Sequence, residues 1–460
     1  MTYDLLIQNV HAYAPEDLGV IDIAVKNGKI AAMGKSLSAE ASRVIDAEGL
    51  LAIPGVIETH AHMLLPFSGT QTMNDFYDGT RSGLYGGVTT LIDFADQTKG
   101  GSIDAALSQR LELAKKQCAV DYSFHCTLTD INDETLEAIP RLVREGFTSF
   151  KFYTAYKAGG LLVPYEDMER AFAVIAREGA LATVHAEDEP MILEATAALQ
   201  AQGKTGCKYF LQSKPDRSEP AAIEKLIELV RKTGARLLIR HVSSAEGAQL
   251  IAAAQAEGLP VYGETCPHYL YFDESVYERE NASDYIVNPP IRTAKDREGI
   301  WKVLSEGSFF TIGTDDCGFY LDQKRVSENF WEIPGGMPGL ETRLAVLCEL
   351  AFRNGLLTME QIACLTSKNP AILYGAYPQK GCLQPGSDAD IVLLRPGQKQ
   401  VLTASMLHEK TDYTPFEGLE LHMTVEKTIA CGKVLMENGN DISMPGAGKR
   451  LYRKLPGDVK

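Results

Sequence analysis

No stretch of this sequence approaches the ~20 apolar residues that cross a bilayer as a helix. The opening, MTYDLLIQNVHAYAPEDLG, carries acids early and lacks a basic segment followed by an apolar one. Neither a membrane span nor a secretory leader is therefore expected. Positive charge is also scarce: 45 Lys and Arg face 61 Asp and Glu, a formal net charge of -16. Nucleic-acid and anionic-membrane surfaces need clustered cations, so neither is an expected partner. The nine cysteines are scattered, odd in number and contain no CxxC. That argues against a disulfide framework and for a reducing, cytoplasmic home. No Gly-x-Gly-x-x-Gly opens a helix, so an open dinucleotide-binding sheet is the weaker of two α/β architectures.

What is present is alternation. Short apolar runs ending in polar or reactive residues recur: AIPGVIETHAH, VTTLIDFAD, VDYSFHCTL, FTSFKFYTAY, LATVHAEDE, RLLIRHVSS, PVYGETCPHYL and FFTIGTDDC. Between them lie segments with apolar residues three and four apart, such as IDAALSQRLELAKKQ, YEDMERAFAVIAREG, PAAIEKLIELVRKTG and AEGAQLIAAAQAEG. Eight repeated βα units predict a closed (β/α)8 TIM barrel, whose active-site face is where the strands end. The first fifty residues and the late segments DADIVLLRPG, MTVEKTIACG and KVLMENG read as short strands with turns. The two ends are expected to pair into one small β-sandwich. The division is residues 1–54 and 376–440 for the sandwich, 55–375 for the catalytic barrel and 441–460 for a tail.

Candidate ligands fall at the strand ends. His60 and His62, two apart in a strand, point to one face and can reach one ion. Alone, the pair is as easily two polar strand-end residues. His185, His241 and Asp315 end the fifth, sixth and eighth runs, and each also has an ordinary reading as a cap or loop opener. Together, five such residues converge on one barrel mouth. Lys151 lies inside an apolar run. Burial there pushes its ammonium towards the neutral amine, which can add carbon dioxide and become a bridging carbamate. The ordinary reading is a lysine reaching the surface.

PGVIETHAH, SFKFYTAYK, TVHAED, RHVSS, YGETCPHYL, VNPPIR, GTDDC, PGGMPGLETR, PQKGCLQPGSDADIVLL and DYTPFEG, in that order, resemble the dihydropyrimidinases and hydantoinases, cyclic amidohydrolases. The likeness runs from end to end. It implies two divalent ions, His60 and His62 on the first and His185 and His241 on the second. Carboxylated Lys151 (N6-carboxylysine) would bridge them, and Asp315 would ligate the first while acting as general acid and base. Zinc is the usual ion, with manganese or cobalt nearly as suitable. Tyr156 matches the oxyanion-stabilising tyrosine. A homotetramer is implied, or a dimer, with the tail reaching a neighbour. Departures are Glu58 for Asp, Asp188 for Asn, Asp316 for His, Asn288 for Ser and Gly335 for Asn; the last two positions face substrate.

The resemblance implies metal-dependent hydrolysis of a cyclic ureide to an N-carbamoyl amino acid. Allantoinase, or an enzyme opening a reduced purine ring, is the alternative, and a non-catalytic assembly protein the second. No ligand is missing, which argues against the last. The loop MLLPFSGTQ has no Arg to meet a carboxylate, which disfavours dihydroorotase. Leu65 and Phe67, with Leu64, are expected to form an apolar lip facing Phe152 and Tyr153.

Overall fold

The computed structural model describes residues 2–37, 40–308 and 311–455. Eight parallel strands form one sheet in sequence order: Val56–Glu58, Val88–Asp96, Asp121–Thr127, Ser149–Tyr153, Leu181–His185, Arg236–Ile239, Val261–Thr265 and Thr311–Ile312. Each coincides with one of the eight apolar runs. The eighth returns to the first through a parallel bridge between Ala61 and Asp316. There, His62 N–H donates to Asp316 O at 2.8 Å and Asp316 N–H to His60 O at 3.1 Å. That bridge closes the barrel and brings the first two histidines beside the eighth strand.

Helices cover the outside, and their bounds follow the sequence pattern: Ile103–Gln117, Tyr165–Arg177, Ser218–Thr233 and Ala245–Ala256. Gly234 ends the third of these in a left-handed conformation, φ 71°, donating its N–H to Val230 O. Two connections matter for the site. Asp188, three residues after His185, caps the helix Glu189–Ala201 by accepting from Met191 N–H. Ser244, three after His241, caps Ala245–Ala256 by accepting from Gly247 N–H. A short turn anchored on a strand at one end and a cap at the other leaves its histidine little freedom.

Both ends of the chain enter a second sheet of nine strands. Leu51–Pro54 pairs antiparallel with Ile391–Val401, matching Pro54 to Ile391 and Leu51 to Leu394. Ile7, Ile23, Val25, Ile391, Leu393 and Ile429 build its own apolar core. The expected union of the two termini in a sandwich therefore holds.

One expectation fails on strand alternation. Phe152 is fully buried on the outer face of the fourth strand, its ring 5.5 Å from Phe172 of helix Tyr165–Arg177. Lys151 and Tyr153, one residue either side, point to the opposite face. Phe152 belongs to the helix–sheet core and cannot form part of the lip.

Candidate active site

The four histidines, Lys151 and Asp315 gather at the C-terminal end of the barrel. One oxygen of Asp315 lies 2.9 Å from His60 Nε2 and 3.3 Å from His62 Nε2. His185 Nδ1 lies 2.9 Å from His241 Nε2. The ring centroids of His60 and His241 are 5.2 Å apart, which joins the two pairs. Ligand atoms of His60, His241 and Asp315 all lie within 4.8 Å of one another. Lys151 Nζ sits 5.5 Å from the centroid of Phe94, a ring that also stacks on His62.

The hydrogen bonds on the far side of two rings decide what the near side can do. His60 Nδ1 contacts Glu264 Oε1 at 2.5 Å, which turns Nε2 inwards. His185 Nε2 donates to Glu187 Oε2 at 2.9 Å, which leaves Nδ1 bare. Nε2 of His60 then faces a carboxylate oxygen, and the bare Nδ1 of His185 faces another imidazole. The 2.9 Å contact between the two rings is a hydrogen bond, and a divalent cation there would take the place of its hydrogen and accept a lone pair from each nitrogen. This donor set therefore fits a metal centre, with carboxylates fixing each ring from behind.

Charge follows the same logic. Burial would raise Glu264, yet Arg240 and His60 bring it down to about 2. Burial would likewise raise Glu187, but Lys214 and His185 bring it to about 2. Burial lowers His185, and burial with His185 as neighbour drives His241 well below the usual histidine range. Both rings are thus neutral, as ligation requires. Burial, followed by the Arg240 charge, lowers Lys151 to about 7. The surface alternative for this lysine is excluded by its 1% exposure.

Three of these residues adopt the left-handed backbone region without being glycine: Tyr156 at φ 68°, His241 at 38° and Asp315 at 52°. Such conformations cost of order 1–3 kcal/mol each and persist where the surroundings enforce them, often at active sites. Tyr156 has its ring centroid 5.0 Å from His185 and 6.2 Å from Phe67. Burial raises its pKa well above the usual phenol value, so it remains a proton donor. Phe67 sits beside Tyr156 on a small hairpin made by Pro66–Phe67 and Thr70–Gln71. Leu65 precedes that hairpin and is half-buried, its N–H donating to Thr72 Oγ1.

The departures acquire physical roles. Glu58 accepts from the N–H groups of Thr59 (2.9 Å) and His60 (2.7 Å) and pairs with Arg343 at 3.2 Å, fixing the turn that presents His60. Asp188 is the cap described above and pairs with Lys225 at 2.7 Å. Asp316 accepts from Gly339 N–H at 2.9 Å and Leu340 N–H at 3.3 Å, and burial raises it to about 6. Asn288 and Gly335 stand together: a Cβ on Gly335 would lie 2.6 Å from Asn288 Nδ2. Asn288 Oδ1 is buried and, among the described residues, has no hydrogen-bond partner.

Sequence reasoning missed Glu264, Glu187, Arg240 and Lys324. Lys324 is fully buried and donates to the carbonyls of Ile286 (2.7 Å), Pro334 (2.7 Å) and Gly336 (2.9 Å), tying together the loops that carry Asn288 and Gly335. For Glu264 and Arg240 a signal existed, since both are charged residues inside apolar barrel runs, the pattern that singled out Lys151.

Comparison with known proteins agrees with this geometry. The description "Amidohydrolase family" matches residues 51–435. A D-hydantoinase from Geobacillus stearothermophilus is 34% identical over 455 residues, 97% of this chain and 96% of the relative. A D-phenylhydantoinase from Escherichia coli (strain SE11) is 33% identical over 98% of both chains. The crystal structure of dihydropyrimidinase from Brevibacillus agri NCHU1002 superposes with a TM-score of 0.96 at 34% identity, covering 98% of each chain. With its fold, its convergent histidines and these relatives in agreement, the chain belongs to the amidohydrolase family.

Proposed function

We propose that this chain hydrolyses the cyclic amide bond of dihydropyrimidines and 5-substituted hydantoins to N-carbamoyl amino acids. Two divalent ions would be held by His60, His62, Lys151, His185, His241 and Asp315. The observation that carries this reading is the pair of imidazole nitrogens turned inwards, each ring fixed by a carboxylate behind it, facing Asp315 Oδ1 and His241 Nε2. The relatives' names, D-hydantoinase, D-phenylhydantoinase and dihydropyrimidinase, support the substrate class. A pKa near 7 supports carboxylation of Lys151: its neutral amine adds carbon dioxide, loses one proton and becomes a carbamate with two oxygen donors. Nitrogen and oxygen donors suit zinc, and also manganese or cobalt.

When bound, the ions make a water more acidic and polarise the scissile carbonyl. Asp315 takes the proton from the attacking water and passes it to the departing ring nitrogen. The Tyr156 hydroxyl donates to the oxygen on which charge develops. Glu264 and Glu187 keep the His60 and His185 hydrogens pointed away from the reaction. Asn288, Gly335 and the backbone around them meet the ureide edge, while Leu65 and Phe67 meet the ring substituent. A ring lacking those polar groups would leave its partners unpaired.

The test is turnover of dihydrouracil and phenylhydantoin against allantoin and dihydroorotate by enzyme of known metal content. Fastest turnover of either of the last two would overturn the substrate assignment and leave the hydrolytic chemistry standing. Nine unpaired cysteines support a cytoplasmic setting. The resemblance to the hydantoinases implies a homotetramer, which light scattering checks.

A further inference from the structure

The segment from Gly448 to Lys454 lies against its own barrel, at the opposite end from the active-site mouth. Gly448 N–H donates to Cys118 O, Tyr122 N–H to Lys449 O, Leu451 N–H to Tyr122 O and Lys454 N–H to Gly375 O, at 2.7–3.0 Å. Two of these approaches admit no side chain: a Cβ on Gly448 would sit 1.8 Å from Val120 O, and one on Gly375 would sit 1.7 Å from Lys454 O. Leu451 joins Ile57, Ile92, Leu181, Leu238 and Tyr374 in a buried cluster. The tail therefore completes the barrel floor.

Arg453 reaches inward from that floor and is 2% exposed. Its guanidinium donates to Ser123 Oγ at 3.0 Å, to Ser149 Oγ at 2.7 Å and to the carbonyl of Phe124. Among the described residues these partners are all neutral, so a buried cation is held by oxygens alone. Ser149 stands two residues before Lys151 on the same strand face. Its hydroxyl lies 2.6 Å from His125 Nδ1. His125 Nε2 lies 3.0 Å from the carbonyl of Thr59, the residue before His60.

Two cations pull the His125 hydrogen in opposite directions. Arg240 Nη2, 3.1 Å from His125 Nε2, favours a lone pair on that nitrogen. Arg453 acts through Ser149: the serine oxygen accepts from the guanidinium, and the hydroxyl hydrogen turns away from the positive charge towards Nδ1. Nδ1 then accepts, Nε2 carries the hydrogen, and Nε2–H donates to Thr59 O. Burial, with Arg240 and Arg453 nearby, holds the ring neutral, so one hydrogen must be placed on one of two nitrogens.

We propose that Arg453 is a positioning residue, which sets the His125 tautomer through Ser149 and thereby fixes the Thr59–His60 peptide beneath the metal centre. The consequence for catalysis rests on the function proposed above; the tautomer itself does not. The test uses the full-length, metal-loaded protein labelled with 15N-histidine, with His125→Gln to assign the resonance. In Arg453→Met, the His125 signal is expected to move from the Nε2–H towards the Nδ1–H pattern. The rate constant kcat is expected to fall about ten-fold, the low end for partners behind a metal ligand, while KM holds. Arg453→Lys, which restores a donor, should recover part of both changes. Ser149→Ala leaves the tail docked and should reproduce them, which keeps the proposal testable should Arg453→Met not fold. An unchanged His125 spectrum in Ser149→Ala, or in folded Arg453→Met, would overturn it. A wild type that opens no cyclic ureide would instead sink the proposed function and leave the spectral result to stand or fall alone.

Discussion

Gly335→Ala is a small change with a calculable consequence. The new methyl would lie 2.6 Å from Asn288 Nδ2, well inside the 3.4 Å at which ordinary contact begins. Overpacking of this kind costs ~1–3 kcal/mol. The clash falls on the end of a rotatable amide and not on backbone, so the low end applies, about 1 kcal/mol. The amide must swing away, but Lys324 holds both loops by three carbonyls and prevents the backbone from following. The cost should therefore appear in substrate binding and orientation: kcat/KM for dihydrouracil and hydantoin falls roughly five-fold, while the thermal midpoint moves little. Asn288→Ser removes the atoms that collide. The double variant, Asn288→Ser with Gly335→Ala, is expected to lose less than the two single changes combined, with a coupling energy of about 1 kcal/mol. The assay is a double-mutant cycle in kcat/KM at fixed metal loading. Strict additivity would refute the reasoning, because it would mean that the two positions do not compete for one space.

Lys151→Ala should lose metal and activity together, and a short carboxylic acid should restore part of both; full activity without added acid would remove the bridging role. Asp315→Asn keeps the shape but cannot accept a proton, so turnover should fall by at least ~100-fold in stopped or continuous ureide assays. Tyr156→Phe should bind metal as wild type does and lose rate, as metal analysis beside kcat would show. Lys151 also gives a pH signature in the metal-free protein. Its folded pKa, about 7, lies below the ordinary lysine value of 10.5 in the unfolded chain, so between these values the unfolded state binds more protons and stability rises with pH. The cost of the buried charge is fully present below pH 7 and is relieved as pH climbs through the window. Denaturation of wild type against Lys151→Met should isolate this slope, up to about 1.4 kcal/mol per pH unit; parallel curves would contradict the depressed pKa.

The barrel was readable because its strands repeat one statement: a short apolar run, then a reactive residue. Val88–Asp96 and Leu181–His185 are buried nearly throughout, as parallel strands covered by helices must be, and no alternation was needed to find them. The candidate residues His60, His62, His185, His241 and Asp315 were legible for the same reason, since position at a strand end is a property of sequence. Side-chain direction within a strand was harder. Phe152 and Tyr153 are adjacent and both aromatic, yet one packs on a helix and the other lies 5.6 Å from His185. Given Lys151 as an inward residue, the period of two already assigned Phe152 outward, so that error was avoidable.

What the sequence could not reveal is how charges buried in the barrel balance. Arg240 pairs with Glu264 at 2.9 Å across neighbouring strands, and Glu264 in turn fixes His60. Arg240 directly follows the strand Arg236–Ile239 and Glu264 is one residue from the end of Val261–Thr265, yet each looks misplaced until the other is known. A buried acid alone would be protonated, and a buried guanidinium alone would carry an uncompensated charge; together they form a polar layer that orients the ligand above. Breaking such a pair from one side costs ~3–5 kcal/mol, because the remaining charge stays buried. The Arg240–Glu264 pair therefore couples folding to the orientation of His60. Whatever removes Glu264 frees the His60 ring to turn and leaves Arg240 without its ion-pair partner in the same step, so loss of the proposed metal centre and loss of stability would have one cause.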